Sequence, residues 1–184
     1  MVILGISGSL RRDSHNTKLL RAAAQLVPPG VELRLYEGLK EVPPYDEDDD
    51  REPAPEAVAR LRAAVGEADA LLIATPEYNH SIPGQLKNAV DWSSRPVGVG
   101  ALRNVPVAVI GASTGAFGAV WSQAEMRKVL AAAGARVVEG DVALGHAHEK
   151  FGADGALLDD EARDQLREVV AELAAEVHAR SAVA

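Results

Sequence analysis

Three stretches of this chain are apolar without interruption: "VILGI" at 2–6, "ALLIA" at 70–74 and "VPVAVIGA" at 105–112. A strand with one face in water alternates apolar and polar residues, whereas a strand without that alternation is buried on both faces. Between and after these runs the spacing turns helical. Leu19, Leu20, Ala23 and Val27 mark a helix over Asn16–Val27, stopped by Pro28-Pro29-Gly30. Val58, Leu61, Val65 and Ala68 mark a second, and a third runs from Pro83, in its first turn, to about Trp92. Met126, Val129, Leu130 and Ala133 share one face of a fourth, with Gly134 as its C-terminal cap. From about Asp160, Ala162, Leu166, Val169, Val170, Leu173 and Val177 form an amphipathic terminal helix. Val31–Leu35 alternates as a half-exposed strand, and Ala135–Glu139 reads as the last strand. Strand and helix therefore alternate five times. This predicts an α/β fold with a parallel sheet covered on both faces and right-handed crossovers.

The 184 residues suffice for one well-cored domain, expected to span 1–184. The chain has no cysteine, which removes disulfides, thiolate nucleophiles and cysteine metal sites and fits a reducing compartment. No run is long enough to cross a bilayer, and the N-terminus lacks the basic-then-apolar pattern of a secretory signal, so a cytoplasmic protein is expected. The net charge of −8 and the lack of a basic stripe argue against nucleic acid as a partner. A polyanionic ligand would need a local basic patch, so the placement of Arg11, Arg12, Lys87, Arg95, Arg103 and Arg127 matters more than the total. The stretch "EVPPYDEDDDREPAPEA" reads as a solvated loop leading into the second helix.

Unusual polar loops follow the first, third and fourth strands: "SGSLRRDSHNT", "TPEYNHSIPG" and "ASTGAFG". In an open α/β sheet, ligands bind beyond the carboxyl ends of the strands, so these three loops share one edge. In the first, Ser7, Ser9, Ser14 and Thr17 offer hydroxyls, Asn16 an amide and Arg11 a positive charge, while Gly8 allows close backbone approach. A helix starting at about Asn16 adds outward N–H groups, which together make an anion cradle; the other reading of the same residues is a long capping loop with surface arginines. The pattern is neither a Walker loop nor a three-glycine dinucleotide fingerprint. In the second loop, Pro76, Glu77, Tyr78 and Asn79 present backbone donors and acceptors that suit a flat heterocycle, although alone they read as a turn with a half-buried tyrosine. His80 has no partner at metal-ligand spacing, and no metal site is expected. The third loop, Ser113–Gly118, is small and flexible enough to close on a ligand's apolar edge.

The segments "GSLRRDSHNTKLL", "PEYNHSIPGQLKNAVDWSSR" and "GASTGAFG" resemble the NADPH-dependent FMN reductases, a family that includes bacterial quinone, chromate and azo-compound reductases. The resemblance spans about residues 2–140. It implies a flavodoxin-like three-layer sandwich with a five-stranded parallel sheet in the order 2-1-3-4-5, and bound FMN with NADPH or NADH as co-substrate. It implies that Ser9, Arg11, Ser14, Asn16 and Thr17 hold the FMN phosphate, that Pro76, Glu77, Tyr78 and Asn79 border the isoalloxazine ring, and that Ser113 and Gly115 lie on the cofactor's opposite side. Hydride would pass from NAD(P)H to FMN N5 and then to a small acceptor (quinone, free flavin, azo or nitro compound, or metal oxyanion) by ping-pong kinetics. No protein acid or base is named as catalytic. Such proteins form homodimers and homotetramers, with the helix after the second motif at a subunit interface; Trp92 fits either that interface or an inward position capping the core. Two places depart from the family's commonest pattern: His80, where arginine is frequent, and the tail "GHAHEKFGADGALLDD".

A rival of another class is a flavodoxin-type electron carrier with a protein partner. Its phosphate turn is usually tighter and richer in Ser/Thr, and it sandwiches the flavin between aromatic rings, of which this chain has few. A receiver domain would need an aspartate where Thr75 stands.

Overall fold

The computed structural model describes residues 1–181, with side chains through residue 179. The strands are β1 (Val2–Ser7), β2 (Glu32–Leu35), β3 (Ala70–Ala74), β4 (Pro106–Ala112), β5 (Arg136–Val137) and β6 (Ala143–Leu144). The helices are α1 (His15–Ala24), α2 (Glu56–Glu67), α3 (Gly84–Ser93), α4 (Val120–Ala132) and α5 (Asp160–Ser181). All pairings in the sheet are parallel, in the order β2-β1-β3-β4-β5, as the resemblance implies; β6 also pairs with β4.

Period-two geometry divides the apolar runs between two cores. Ile3, Leu72, Ala108 and Ile110 face one way, onto Leu19, Leu20, Leu166, Val170 and Leu173 of α1 and α5. Leu4, Ile6, Leu71, Ile73, Val107 and Val109 face the other way, onto Leu61 of α2, Leu86 and Val90 of α3 and Met126 and Leu130 of α4. Each fully buried leucine or isoleucine contributes about 1.5–3 kcal/mol relative to exposure, so both faces favour the sheet and neither can be exchanged for water. The result is a helix–sheet–helix sandwich.

The expected last strand, 135–139, is split in two. Arg136 and Val137 pair with Pro106 and Val107, the chain then leaves the ladder, and Ala143 and Leu144 return to pair with Gly111 and Ala112. The gap exposes the Val109 carbonyl of β4. Arg127 of α4 fills it, donating to Val109 O at 2.9 Å and to Gly140 O at 3.1 Å while pairing with Asp141. A guanidinium has five donors in a fixed fork, enough to satisfy several carbonyls at once. The first helix starts one residue earlier than its apolar spacing suggests and ends at Ala24, short of the expected Val27, with Gln25 as the C-cap whose N–H bonds back to Ala22 and Ala23.

The acidic segment after β2 is largely exposed, as the solvated loop expected, and leads into α2, but part of it is also anchored by side chains of α2 and α3. Gln85 of α3 donates to the carbonyls of Leu39 and Val42, and Asn88 donates to Pro43 O while accepting from Tyr45 N. Arg62 of α2 pairs with Asp50 at 2.8 Å. Trp92 resolves to the inward position. It is fully buried, its Nε1 donates to Pro43 O at 2.9 Å, and its ring meets Tyr45 edge-on at 4.8 Å. A side chain with no exposed surface cannot carry a subunit contact, so Trp92 is a core residue and not an interface residue.

Candidate functional site

Parallel strands present their carboxyl ends on one edge, and three loops leave that edge together. The first joins β1 to α1. Ser14 is the N-cap: its backbone is extended, and its hydroxyl accepts from Thr17 N at 3.2 Å. Thr17 Oγ1 donates to Ser7 Oγ at 2.9 Å, closing the loop's inner side. Asp13, the loop's carboxylate, is held by Lys18 at 2.6 Å, and that bond lowers its pKa. Arg11 has no carboxylate within ion-pair distance among the described residues, and the N–H groups of His15 and Asn16 donate to nothing there. Unspent helix N-terminal donors beside an unpaired arginine form an electropositive spot.

The second loop follows β3. Thr75 is buried, with its hydroxyl shared between Pro76 O at 2.8 Å and Ser122 Oγ at 2.7 Å. Residues 78–81 form a two-residue hairpin, with Tyr78 and Ser81 exchanging backbone bonds across Asn79 and His80, both at positive φ. Asn79 therefore sits at a turn tip, away from the cleft floor. Tyr78 is 55% exposed. Glu77 turns inward, and its Oε2 accepts from Trp121 N at 3.1 Å and Ser122 N at 3.2 Å. It caps α4, whose own N-cap residue, Ala119, has no side chain for the task.

The third loop follows β4, with residues 114–117 exposed and its base backed by β6 and the segment after it. Ser113 N donates to Leu144 O, while Ala147 N and His146 N donate to Ser113 O and Gly115 O. Gly118 has φ +57°, and a Cβ there would lie 2.2 Å from the Ala143 carbonyl carbon. The segment that begins at Gly145 thus starts as the support of this loop. Gly8 brings the first two loops together: its N–H donates to Ala74 O at 2.8 Å, and an added Cβ would meet Leu86 at 2.6 Å and Pro76 at 3.1 Å.

The three loops enclose a cleft of about 290 Å³ lined by Ser9, Arg11, His15, Asn16, Pro76, Glu77, Tyr78, Ala112, Ser113 and Thr114. Seven of the residues implied by the resemblance are brought together here: Ser9, Arg11, Asn16, Pro76, Glu77, Tyr78 and Ser113. Ser14 lies beneath as a cap, Thr17 faces a neighbouring cleft, Asn79 is at the hairpin tip, and Gly115 stands just outside beside Ser113. Asn16 has a different employment from phosphate binding by its amide. That side chain is committed to Ala112, leaving only its backbone N–H for a ligand. His15 was not singled out by the sequence reasoning. Its ring stacks on Phe151 at 5.9 Å, its Nδ1 is buried without a hydrogen-bond partner, and burial, then Arg11 and Lys18, lower its pKa. The only sequence signal was its place at the first turn of a helix that opens on a ligand loop.

A terminal phosphate suits the donors at one end of this cleft, which is lined by Ser9, by the unpaired Arg11, and by His15 and Asn16, whose backbone N–H groups are free. Residues 1–149 match the NADPH-dependent FMN reductase family. The chain belongs to that family. It is 42% identical to an NAD(P)H-dependent FMN reductase of Pseudomonas aeruginosa over 167 residues, covering 90% of this chain and 89% of that one. It is also 42% identical to a quinone reductase of Pseudomonas putida over 125 residues, covering 68% and 67%. The flavoenzyme NAD(P)H:(acceptor) oxidoreductase FerB of Paracoccus denitrificans has a similar structure, with a TM-score of 0.86 and 34% identity over 96% of this chain and 97% of that one. As a member of the FMN reductase family the chain is an oxidoreductase with FMN as cofactor and NAD(P)H as co-substrate, on a flavodoxin-like fold. None of the helices among the described residues is long and apolar enough to cross a membrane.

Proposed function

We propose that this member of the FMN reductase family is a single-domain cytoplasmic enzyme. It takes hydride from NAD(P)H and delivers two electrons to a small quinone-type acceptor in two alternating half-reactions, working as a homodimer or homotetramer. The observation that carries the reading is the convergence of the three loops on one cleft, with an unpaired Arg11 and free helix N–H groups at one end and Tyr78, exposed, at the other. Bound FMN supplies the hydride-accepting ring that no side chain of the protein provides.

The protein's own part is positioning. Arg11, Ser9 and the N–H groups of His15 and Asn16 anchor the phosphate. The Pro76–Tyr78 segment and Ser113 border the flat ring system from two sides, and Gly115 adds backbone beside Ser113. The open face beyond Tyr78 admits a flat donor and then a flat acceptor in turn, so that one product leaves before the second substrate enters. A quinone leaving as hydroquinone gains the two electrons together with two protons, one matched by the hydride and one from water.

Steady-state oxidation of NADH and NADPH by FMN-loaded protein, with a benzoquinone as acceptor at several fixed concentrations, tests this reading. Parallel double-reciprocal lines are expected. Intersecting lines would exclude the alternating order. Failure to oxidise NAD(P)H without another protein would favour an electron carrier over a reductase.

A further inference from the structure

A second cleft, of about 350 Å³, lies on the opposite side of the first loop, between it and the segment that follows β2. Ser9 lines both clefts, so they adjoin across one residue. Three cations surround the second: Arg12, Arg21 and Lys40. All three are exposed, and none has a carboxylate within ion-pair distance among the described residues. Lys18, Arg34, Arg60 and Lys87 nearby in sequence or fold are each paired, whereas these three share one cavity without a partner, in a chain of net charge −8. One carboxylate, Glu37, lines the cleft just beyond the carboxyl end of β2 and pairs with none of the three cations. Three unpaired cations around one cavity raise the local concentration of anions against the overall field.

We propose that this cleft receives the adenosine 2′-phosphate of NADPH, with Arg12, Lys40 and Arg21 as the phosphate contacts; the proposal rests on the reading of the first cleft as the flavin site. The 2′-phosphate and the nicotinamide sit at opposite ends of NADPH. A donor whose nicotinamide reaches the flavin cleft therefore needs a separate anchor, reached across a shared wall. The Ser9 wall provides that path. Rossmann-type dinucleotide sites distinguish the two cofactors with the same chemistry, a carboxylate accepting from a free 2′-hydroxyl or an arginine accommodating a 2′-phosphate; this chain lacks their glycine fingerprint, so only the chemistry of the groups carries over. Here both kinds of group are present, with the positive charges in excess by two once Glu37 is set against them. NADH is accepted through its hydroxyls, and NADPH is favoured through its phosphate.

Titration calorimetry of FMN-loaded protein with adenosine 2′,5′-bisphosphate, 5′-ADP and 5′-AMP tests the assignment without turnover. The 2′,5′-bisphosphate is expected to bind about tenfold or more tighter than the other two, by charge-assisted contacts to exposed cations. In Arg12→Gln/Lys40→Gln that advantage disappears, while FMN affinity stays at the parent's value. Equal binding of 5′-ADP and the 2′,5′-bisphosphate by the parent overturns the proposal, since the site would then read any phosphate. A fall in FMN affinity in the double variant also overturns it, because the cations would then serve the flavin. Loss of FMN binding by the parent, in contrast, would contradict the proposed function itself. Both substituted side chains are exposed and unpaired, so the fold does not depend on them; circular dichroism checks that it is retained.

Discussion

The Asn16 side chain closes a two-bond ring with the backbone of Ala112: its Nδ2 donates to Ala112 O and its Oδ1 accepts from Ala112 N, both at 2.9 Å. An amide placed this way imitates a neighbouring strand. It satisfies the Ala112 backbone on the side that no strand covers and ties the first turn of α1 to the start of the third loop, so two walls of the cleft are held in register by one buried side chain.

Replacing Asn16 by Ala leaves a buried N–H and a buried carbonyl without partners. A loss of about 2–6 kcal/mol is expected, since each of the two unsatisfied buried groups costs roughly 1–3 kcal/mol. Urea unfolding measures it. Asn16→Asp keeps the acceptor and loses the donor, so its midpoint should fall between those of the parent and the alanine variant. An unchanged midpoint in Asn16→Ala would contradict the clamp.

Glu77 illustrates a residue with two possible roles, at the ring and at a helix end. Its carboxylate is the acceptor for the first N–H groups of α4. Glu77→Ala is expected to destabilise the protein by about 1–2 kcal/mol, the range for a lost N-terminal cap with its charge. Glu77→Gln retains an oxygen and should lose about half of that or less. If Glu77→Ala altered flavin binding and left thermal stability unchanged, the capping role would be wrong.

His15 sets a pH dependence. Burial, then Arg11 and Lys18, hold its pKa below the ordinary histidine value. The unfolded chain therefore takes up the proton first as pH falls. Stability is at full strength above about pH 6.5, the unperturbed histidine value, and is lost as pH drops from there toward the lower folded-state pKa. His15→Phe keeps a ring against Phe151 and removes the titration. Melting temperatures at pH 7.5 and 5.5 should differ less in this variant than in the parent. An equal difference in the two proteins would assign the slope to other groups.

The layering of the fold was legible because a strand buried on both faces leaves an uninterrupted apolar run, and β1, β3 and β4 do so. The break between β5 and β6 was not legible. It depends on Arg127, distant in sequence and on another element, reaching the Val109 carbonyl. The acidic segment is exposed as its polarity suggests, but its anchoring was not legible, because the groups that hold it, Gln85, Asn88 and Arg62, lie on α2 and α3. Within the cleft, residue types were more legible than their employment. Asn16 and Glu77 have the polarity of ligand contacts, but their hydrogen bonds to Ala112 and to α4 arise only when distant strands and helices meet.

The claim on which the account rests is that the first loop and the start of α1 grip a phosphate. Fluorescence titration of the protein with FMN and with riboflavin, which share the ring system and differ by that phosphate, measures it directly. FMN should bind about a hundredfold or more tighter, with several charge-assisted hydrogen bonds in its favour, and Arg11→Ala should reduce that preference by about tenfold. Equal affinity for the two flavins, unaltered by Arg11→Ala, would contradict it.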